Sequence, residues 1–419
     1  MKKFIVFRFI LSVLILLTFS NCNKEESSSA FLPIYGLEAK GTIPSQLNNE
    51  MYLGLFENPD YTWMANSGIP WNSRYMYLVP GWMDNWGTEE PIGNIARKFL
   101  NECEELGALP FFQFYILNDI VIDDAEDLYA KTADTSIMKQ YYDQYILMLN
   151  IIKEYGKPVV VLLEADGFAV LQQQTNSNPE AYTAVADCGV PELTDLPKTM
   201  AGWGMAFLEL KKDLEVDNMM LGIHISHWAT REDIAYSSSQ LALEPVVDEV
   251  YDFLAPMGLV PNQTGLEFDF IVCDPSDRDA DYFRLQRGED KWWDMSSEAS
   301  INSASYNRYA EWMRIWNVKS EKRWIVWQIP LGNKWHKNVS NGDVNPQEGY
   351  KDNRVEYFLG NNSSENIALW TNSGAVALLF GRGAHDQANF TNDQDDKGDL
   401  YMKKLATRFY EKGGMEVKR

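Results

Sequence analysis

Short apolar runs alternate with amphipathic stretches along the chain from about residue 51. The clearest run, 158–163, has three valines followed by two leucines, which is typical of a strand buried on both faces. Seven further runs have the length and the β-branched or aromatic content of strands. The eight predicted strands are 51–57, 74–79, 109–117, 158–164, 219–225, 266–274, 323–330 and 374–381.

Helical patterns follow most of these strands. The clearest helix, 136–155, places Tyr141, Tyr145, Met148 and Ile152 on one face and ends at Gly156. The other predicted helices are 89–106, 196–214, 243–257, 303–316 and 399–411, with two short helices within 350–373. Eight strands alternating with helices predict an α/β protein with one (β/α)8 barrel domain over 49–419. An open doubly wound sheet is the alternative.

Two long polar segments interrupt this alternation, at 172–195 and 332–349. Loops of such length inside a compact domain usually have a function. Polar and aromatic residues also follow almost every predicted strand. A ring of such residues is what an active site at the carboxyl end of a barrel requires, and it favours the barrel over the open sheet.

The amino-terminal segment has the pattern of a bacterial lipoprotein signal. A basic start is followed by an apolar stretch over 4–19 and then by Phe19-Ser-Asn-Cys22. We expect 1–21 to be removed, Cys22 to be lipidated and 22–48 to form a tether. Lys24-Glu-Glu resembles the surface-export signals of Bacteroidetes lipoproteins. The expected location is the outer membrane, facing the cell surface or the periplasm; an ordinary secretory signal and a membrane helix are the alternatives.

Charge and cysteine spacing exclude several classes of function. The formal net charge of −23 argues against nucleic acid as a partner and is compatible with neutral or cationic substrates. Cys103, Cys188 and Cys273 are far apart and predict neither a zinc site nor a disulfide framework. Neither G-x-G-x-x-G nor a P-loop pattern occurs, which disfavours a nucleotide enzyme. No cofactor is predicted, and the oligomeric state stays open.

Carboxylates at strand ends are the candidate catalytic groups. Glu164 and Asp166 follow the fourth strand, and the alternation of side chains along a strand places both on the same face as Val160 and Leu162. Solvated acids at the start of a loop are the alternative. The further candidates are Asp274 after the sixth strand and Asp386 after the eighth. Two carboxylates across a cleft are what glycoside hydrolysis needs.

Substrate-binding candidates also lie near strand ends. The chain has 14 Trp and 21 Tyr, and aromatic rings in loops are typical of sugar-stacking sites. The candidates are Glu57, Trp82, Gln113, His224, His227, Trp228, Gln328, Asn333 and His385. We expect no metal among them, because a His-x-x-His spacing at a strand end does not put both rings on one face. Acidic clusters at 274–281 and 392–398 are calcium-loop alternatives, although solvated loops are the simpler interpretation.

The fourth strand and its end resemble a known signature. Val-Val-Val-Leu-Leu-Glu164-Ala-Asp166-Gly167 is similar to the strand end of the inverting cellulases of glycosidase family six, in which aliphatic residues lead into Glu-Pro-Asp. The resemblance implies that Asp166 is the catalytic acid. Gly381-Arg-Gly-Ala-His-Asp386 is loosely similar to the segment that carries the proposed base. Ala165 replaces the family's proline, and its other acidic motif has no match here.

The combined prediction is a barrel glycoside hydrolase acting on a polysaccharide or oligosaccharide. The seventh strand ends in Gln328, where the commonest retaining barrels have a glutamate, so an inverting mechanism is expected. Asp166 is the predicted acid, Asp386 or Asp274 the predicted base, and Glu164 is expected to raise the pKa of Asp166. The alternatives are a non-catalytic carbohydrate-binding lipoprotein on the same scaffold and a metal-dependent hydrolase or deacetylase.

Overall fold

The protein is described here from a computed structural model. The described residues are 38–418 except 89, 118–126, 237–240, 263, 337–348 and 383–386. They belong to one compact unit that begins at Ile34. Cys22, His385 and Asp386 therefore lie outside the described residues.

Eight parallel strands form a closed barrel in chain order. They are β1 (Tyr52–Phe56), β2 (Ser73–Leu78), β3 (Leu109–Phe114), β4 (Val159–Leu163), β5 (Met219–His224), β6 (Phe270–Cys273), β7 (Arg323–Ile329) and β8 (Ala375–Phe380). β1 closes the barrel on β8, where Tyr52 pairs with Ala377. The predicted (β/α)8 fold and all eight predicted strands are confirmed, although β6 is shorter than predicted because Leu266–Asp269 precede the ladder.

The helices surround this barrel. They are α1 (Trp63–Asn66), α2 (Asn94–Leu106), α3 (Leu128–Thr132), α4 (Thr135–Tyr155), α5 (Gly167–Gln174), α6 (Met200–Asp213), α7 (Leu243–Leu254), α8 (Ala280–Tyr282), α9 (Tyr306–Ser320), α10 (Arg354–Leu359), α11 (Ser363–Asn372) and α12 (Tyr401–Glu411). None of the helices in the described part of the chain is long and apolar enough to cross a membrane.

Local signals explain where the helices begin and end. Asp134 caps α4 by accepting hydrogen bonds from the backbone N–H groups of Ser136 and Ile137, at 2.8 and 2.9 Å, and Gly156 ends it at φ 68°. α2 begins five residues later than predicted, because Gly93 is left-handed at φ 71° and occupies the N-cap. The predicted loop 172–195 is shorter in the structure, since its first three residues belong to α5.

The barrel interior is tightly filled. A Cβ added to Gly54 in β1 would lie 2.4 Å from Ser73 Oγ and 2.8 Å from Leu379 Cδ2, so the neighbouring strands require a glycine there. Gln113 in β3 and His224 in β5 meet at 2.9 Å although β4 separates their strands, which places both side chains inside the barrel. Cys103 and Cys273 are buried, as expected for core residues.

The segment before β1 packs on the amino-terminal end of the barrel. The Asn317 side chain exchanges hydrogen bonds of 2.8 and 2.9 Å with the backbone of Lys40. Arg323, the first residue of β7, donates a 2.9 Å hydrogen bond from Nε to the carbonyl oxygen of Gly41. Ile43 and Leu47 are buried. This segment therefore joins the domain at the end opposite to the carboxyl ends of the strands.

Candidate active site

Two cavities meet at the carboxyl end of the barrel. The first, of about 900 Å³, lies beside the ends of β5 and β6 and is lined by His227, Trp228 and Lys291 among others; we call it the His227 cavity. The second, of about 600 Å³, lies above β2, β3 and β7; we call it the Tyr77 cavity. Both are lined by the same three carboxylates, Asp166, Asp274 and Asp277. The acids therefore stand where the two cavities join.

Asp166 is the carboxylate whose surroundings match those of a proton donor. It follows β4, lines both cavities and accepts a 3.0 Å hydrogen bond from the hydroxyl of Tyr115. Burial raises the pKa of Asp166 to about 6, the negative charge of Asp274 adds to the rise, and the Tyr115 hydrogen bond opposes it. A carboxyl group with such a pKa keeps a proton well above the usual range of an aspartate.

Asp274 follows β6 in a differently charged environment. It is buried, and its carbonyl oxygen accepts a 2.7 Å hydrogen bond from the Tyr309 hydroxyl, which fixes the backbone there. The pKa of Asp274 is raised, chiefly by burial, and the nearby His227 and Lys291 offset part of this rise. The charge of Asp274 is itself a cause of the raised pKa of Asp166, so the protonation of one group depends on that of the other.

A chain of charged groups supports this side of the cleft. His227 Nδ1 lies 2.7 Å from Asp233 Oδ1, and the other carboxylate oxygen lies 3.1 Å from Lys291 Nζ. Burial alone would raise the pKa of Asp233, but His227 and Lys291 together lower it well below the usual range. Lys291 also lies 4.2 Å from the centroid of the Phe283 ring. Asp233 thus holds Nδ1 of a ring that lines the His227 cavity.

The Tyr77 cavity has amide, hydroxyl and aromatic groups. Gln328, the penultimate residue of β7, is left-handed at φ 52° beside a register shift of the strand. Its Oε1 accepts a 3.0 Å hydrogen bond from the Tyr77 hydroxyl, and its Nε2 donates to the carbonyl oxygen of Asp277 at 3.3 Å. Trp86 and Trp327 line the same cavity. An amide therefore occupies the cleft side of the β7 end.

The structure places the Glu164 side chain differently from the sequence prediction. Its backbone is left-handed at φ 46°, which breaks the alternation of the strand, so Glu164 and Asp166 do not share a face. The Glu164 carboxylate is fully buried and accepts hydrogen bonds from the Tyr141 hydroxyl at 2.9 Å and from the backbone N–H groups of Ile116 and Leu117. It ties β4 to α4 and to the segment after β3, and burial and Asp274, not Glu164, are the main causes that raise the pKa of Asp166.

Four other sequence candidates are buried inside the fold. Trp82 is buried beneath its loop, and Asn333 donates a 2.6 Å hydrogen bond to the carbonyl oxygen of Asp393, which ties the loop after β7 to the segment before α12. Gln113 and His224 bond each other inside the barrel, and burial lowers the pKa of His224 to about 3. These four side chains are not among those that line the two cavities.

Glu57 makes internal contacts and also lines a cavity. Its carboxylate accepts a 3.0 Å hydrogen bond from the backbone N–H of Met64 and lies 3.5 Å from Arg74, and it also lines a third, smaller cavity. His227 and Trp228 line the His227 cavity and Gln328 lines the Tyr77 cavity, while their role in substrate binding stays a prediction.

The two acidic clusters are largely occupied by internal contacts. Asp279 accepts 2.9 Å hydrogen bonds from the backbone N–H groups of Gly332 and Ala388, and Asp281 is paired with Arg284. Asp395 in the second cluster is paired with Lys404 at 3.0 Å. Among the described residues, no group of three or more His, Cys, Asp or Glu is placed to hold a metal ion.

Several cleft residues were missed from the sequence. Asp277 lies within the acidic cluster 274–281, and Tyr77 and Tyr115 lie within predicted strands, so the sequence pattern does not single out any of the three. A tyrosine at the carboxyl end of a parallel strand is a signal that was available. Asp233 and Lys291 are 58 positions apart, and nothing in the sequence pairs them.

Comparisons with known proteins were made for the whole chain. No family model matches it, so the resemblance to family six rests on the strand-end motif alone. No curated protein matches it either. Among solved structures, the chain is similar to an endo-β-1,4-mannanase double mutant of Cellulomonas fimi, at 10% identity over 85% of this chain and 70% of that chain, with a TM-score of 0.48. It is also similar to a GH26 β-mannanase of Bacteroides ovatus, at 8% identity over 88% and 91% of the two chains, with a TM-score of 0.41.

Proposed function

We propose that this protein is a glycoside hydrolase that cleaves O-glycosidic bonds of a polysaccharide or oligosaccharide. The observation that carries the proposal is the pair formed by Asp166 and Asp274, two buried carboxyl groups of raised pKa that line the same cleft. Glycosidic bond cleavage needs one carboxyl group that donates a proton and one carboxylate that stays charged.

The proposed mechanism is inverting. Asp166, protonated near pH 6, donates its proton to the leaving glycosidic oxygen. Asp274, whose charged form the nearby His227 and Lys291 favour, takes a proton from the water that attacks the anomeric carbon from the opposite face. The amide of Gln328 at the end of β7 supports this choice over a retaining mechanism, because an amide is not the carboxylate nucleophile expected there. Asp386 is the alternative base.

The test is reducing-sugar release by the purified domain across glucans, galactans, mannans, xylans, arabinans and algal polysaccharides. Asp166→Asn keeps the size of the side chain and its ability to accept from Tyr115, but has no proton to donate. We expect a loss of at least about a hundredfold in kcat on natural glycans. Asp252→Asn, which changes an exposed aspartate of α7, is the matched control and should retain full activity.

Two further measurements separate the finer assignments. NMR of the first-formed product gives its anomeric configuration, and retention would overturn the inverting mechanism. Asp274→Asn and Asp386→Asn identify the base by which of them abolishes turnover. If no glycan is cleaved but one retards the protein in an affinity gel, the protein is a carbohydrate-binding protein and not an enzyme.

We further propose that Cys22 is lipidated and anchors the protein at the outer membrane, on the strength of the sequence around it. Metabolic labelling with a palmitate analogue, followed by membrane fractionation, tests this. Cys22→Ala should abolish the label and release the protein from the membrane fraction. Unchanged membrane association would favour an uncleaved amino-terminal helix.

A further inference from the structure

A third cavity continues the cleft beyond the Tyr77 cavity. It has about 270 Å³ and is lined by Tyr61, Trp63 and Phe390, with Phe56, Asn58 and Arg382 on the side that it shares with the Tyr77 cavity. We call it the Tyr61 cavity. The three cavities therefore follow one another across the barrel, each sharing lining residues with the next.

Aromatic rings dominate the Tyr61 cavity. Tyr61 is 62% exposed, so most of the surface of its ring is open to a ligand. Beside it, the rings of Trp63 and Phe390 are in contact, with centroids 4.8 Å apart and planes inclined by 46°. Exposed rings grouped in a concave site offer apolar faces on which the C–H faces of a sugar ring stack.

Hydrogen bonds of Arg74 and Glu57 fix the backbone of the loop that carries Tyr61 and Trp63. Buried Arg74 donates from Nε to the carbonyl oxygen of Glu57 at 3.1 Å and from a terminal nitrogen to that of Asn58 at 2.6 Å. Glu57 in turn accepts from the backbone N–H of Met64 at 3.0 Å. These bonds fix the backbone at both ends of 57–64, so the loop that carries the rings is positioned before any ligand arrives, which lowers the cost of ordering it on binding.

The opposite wall is held by a local turn. Asn389 Oδ1 accepts a 2.8 Å hydrogen bond from the backbone N–H of Thr391, and Asn392 Oδ1 accepts a 2.7 Å hydrogen bond from that of Asn389. Between the two cavities stands Arg382, whose guanidinium makes no hydrogen bond or ion pair with any described residue. A guanidinium that lines both cavities is a donor to hydroxyl oxygens of a bound chain.

The position of Asp166 and Asp274 indicates what kind of ligand the three cavities can bind. Asp166 and Asp274 stand between the His227 and Tyr77 cavities and not at the end of one of them. Each of those two cavities already has the volume of a site for a small molecule. A substrate cleaved at the acids therefore has sugar rings on both sides, and on one side the groove goes on to the Tyr61 cavity.

We propose that Tyr61, Trp63 and Phe390 form a remote binding site for a sugar ring of an extended polysaccharide chain, and that the protein cuts within such chains. This inference rests on the proposed glycosidase function. It assigns the Tyr61 cavity to chain recognition and not to bond cleavage.

The test compares substrates of different lengths. The variants Tyr61→Ala and Phe390→Ala are assayed on a ladder of oligosaccharides of the glycan that the wild type cleaves. We expect the ratio of kcat/KM for the longest to the shortest substrate to fall about tenfold in each variant, because only long chains reach the aromatic rings. Tyr182→Ala is the matched control: Tyr182 is 47% exposed but lines none of the three cavities, and its ratio should stay at the wild-type value.

A binding measurement gives a second readout. In the Asp166→Asn background, retardation in a gel that contains the polysaccharide should weaken when Tyr61→Ala is added, and not when Tyr182→Ala is added. An unchanged length ratio and unchanged retardation would overturn the remote site, and so would equal losses on short and long substrates. If Asp166→Asn turns over like the wild type, the proposed mechanism fails, while the retardation assay still decides the remote site. If no glycan is cleaved or retards the protein, both proposals fall.

Discussion

The hydroxyl of Tyr115 donates a 3.0 Å hydrogen bond to Asp166 Oδ2 from the end of the neighbouring strand. This bond favours the charged carboxylate, whereas burial and the charge of Asp274 favour the protonated one, and the balance holds the pKa at about 6. Adjacent strand ends thus set the protonation of the candidate acid.

The activity of the wild type should therefore fall as the pH rises through about 6, because Asp166 loses the proton that it must donate. Activity should also fall on the acid side, where Asp274 becomes protonated. A pH profile of kcat/KM on the best substrate measures both limbs. Activity that keeps rising above about pH 8 would contradict the role of Asp166 as the acid.

Replacing Tyr115 with phenylalanine removes the side-chain hydrogen bond that stabilises the Asp166 anion. The pKa of Asp166 should rise further, and the alkaline limb of the profile should move up by up to about one pH unit. Tyr182→Phe, at an exposed tyrosine outside the cleft, serves as the control and should leave the limb in place. A shift of the alkaline limb to lower pH in Tyr115→Phe would be inconsistent with the donated hydrogen bond.

Asp166 should lower the free energy of unfolding of the protein at neutral pH. Its folded pKa of about 6 lies above the value of about 3.9 for an unfolded chain, so between these values the unfolded state releases a proton that the folded state keeps. Stability conferred by the protonated form is complete below about pH 4 and is lost as the pH rises through about 6.

Asp166→Asn should accordingly raise the free energy of unfolding at about pH 8 by roughly 1–2 kcal/mol, since partial contact with water weakens the penalty, and should change it little at about pH 4. Thermal or urea unfolding at the two pH values measures the difference. Asp252→Asn, an exposed substitution, should show no such dependence on pH. An Asp166→Asn variant less stable than the wild type at about pH 8 would refute the raised pKa.

Glu164→Gln should lower the stability of the protein more than its catalytic activity. The amide keeps one acceptor but turns an N–H₂ group toward the donors on Tyr141, Ile116 and Leu117, so at least one buried polar group loses its partner. We expect the free energy of unfolding to fall by about 1–3 kcal/mol. Tyr141→Phe, which removes a single donor, should cost about 1 kcal/mol. A Glu164→Gln variant that unfolds like the wild type yet has lost all turnover would instead return Glu164 to the catalytic groups.

The strands were predictable because each is a run of apolar residues bounded by polar ones, a pattern that burial on both faces imposes directly. The position of Asp166 followed from that pattern, since a residue just past β4 must lie at the carboxyl end of the barrel. The position of the Glu164 side chain could not be predicted from that pattern, because its positive φ depends on neighbours from β3 and α4 and not on its own strand.

Contacts between distant segments account for the remaining differences. Lys291 becomes a partner of Asp233 only once the segments after β5 and β6 face each other. Trp63 and Phe390 meet only because β1 pairs with β8. Trp82, buried under its loop, is indistinguishable by composition from Trp86, which lines the cleft.

The attachment of Lys40 and Gly41 to Asn317 and Arg323 has a consequence for orientation. It fixes residues 40 and 41 at the amino-terminal end of the barrel, on the side opposite to the cleft. A glycan that enters the cleft therefore meets the carboxyl ends of the strands and the loops that follow them, and not this segment.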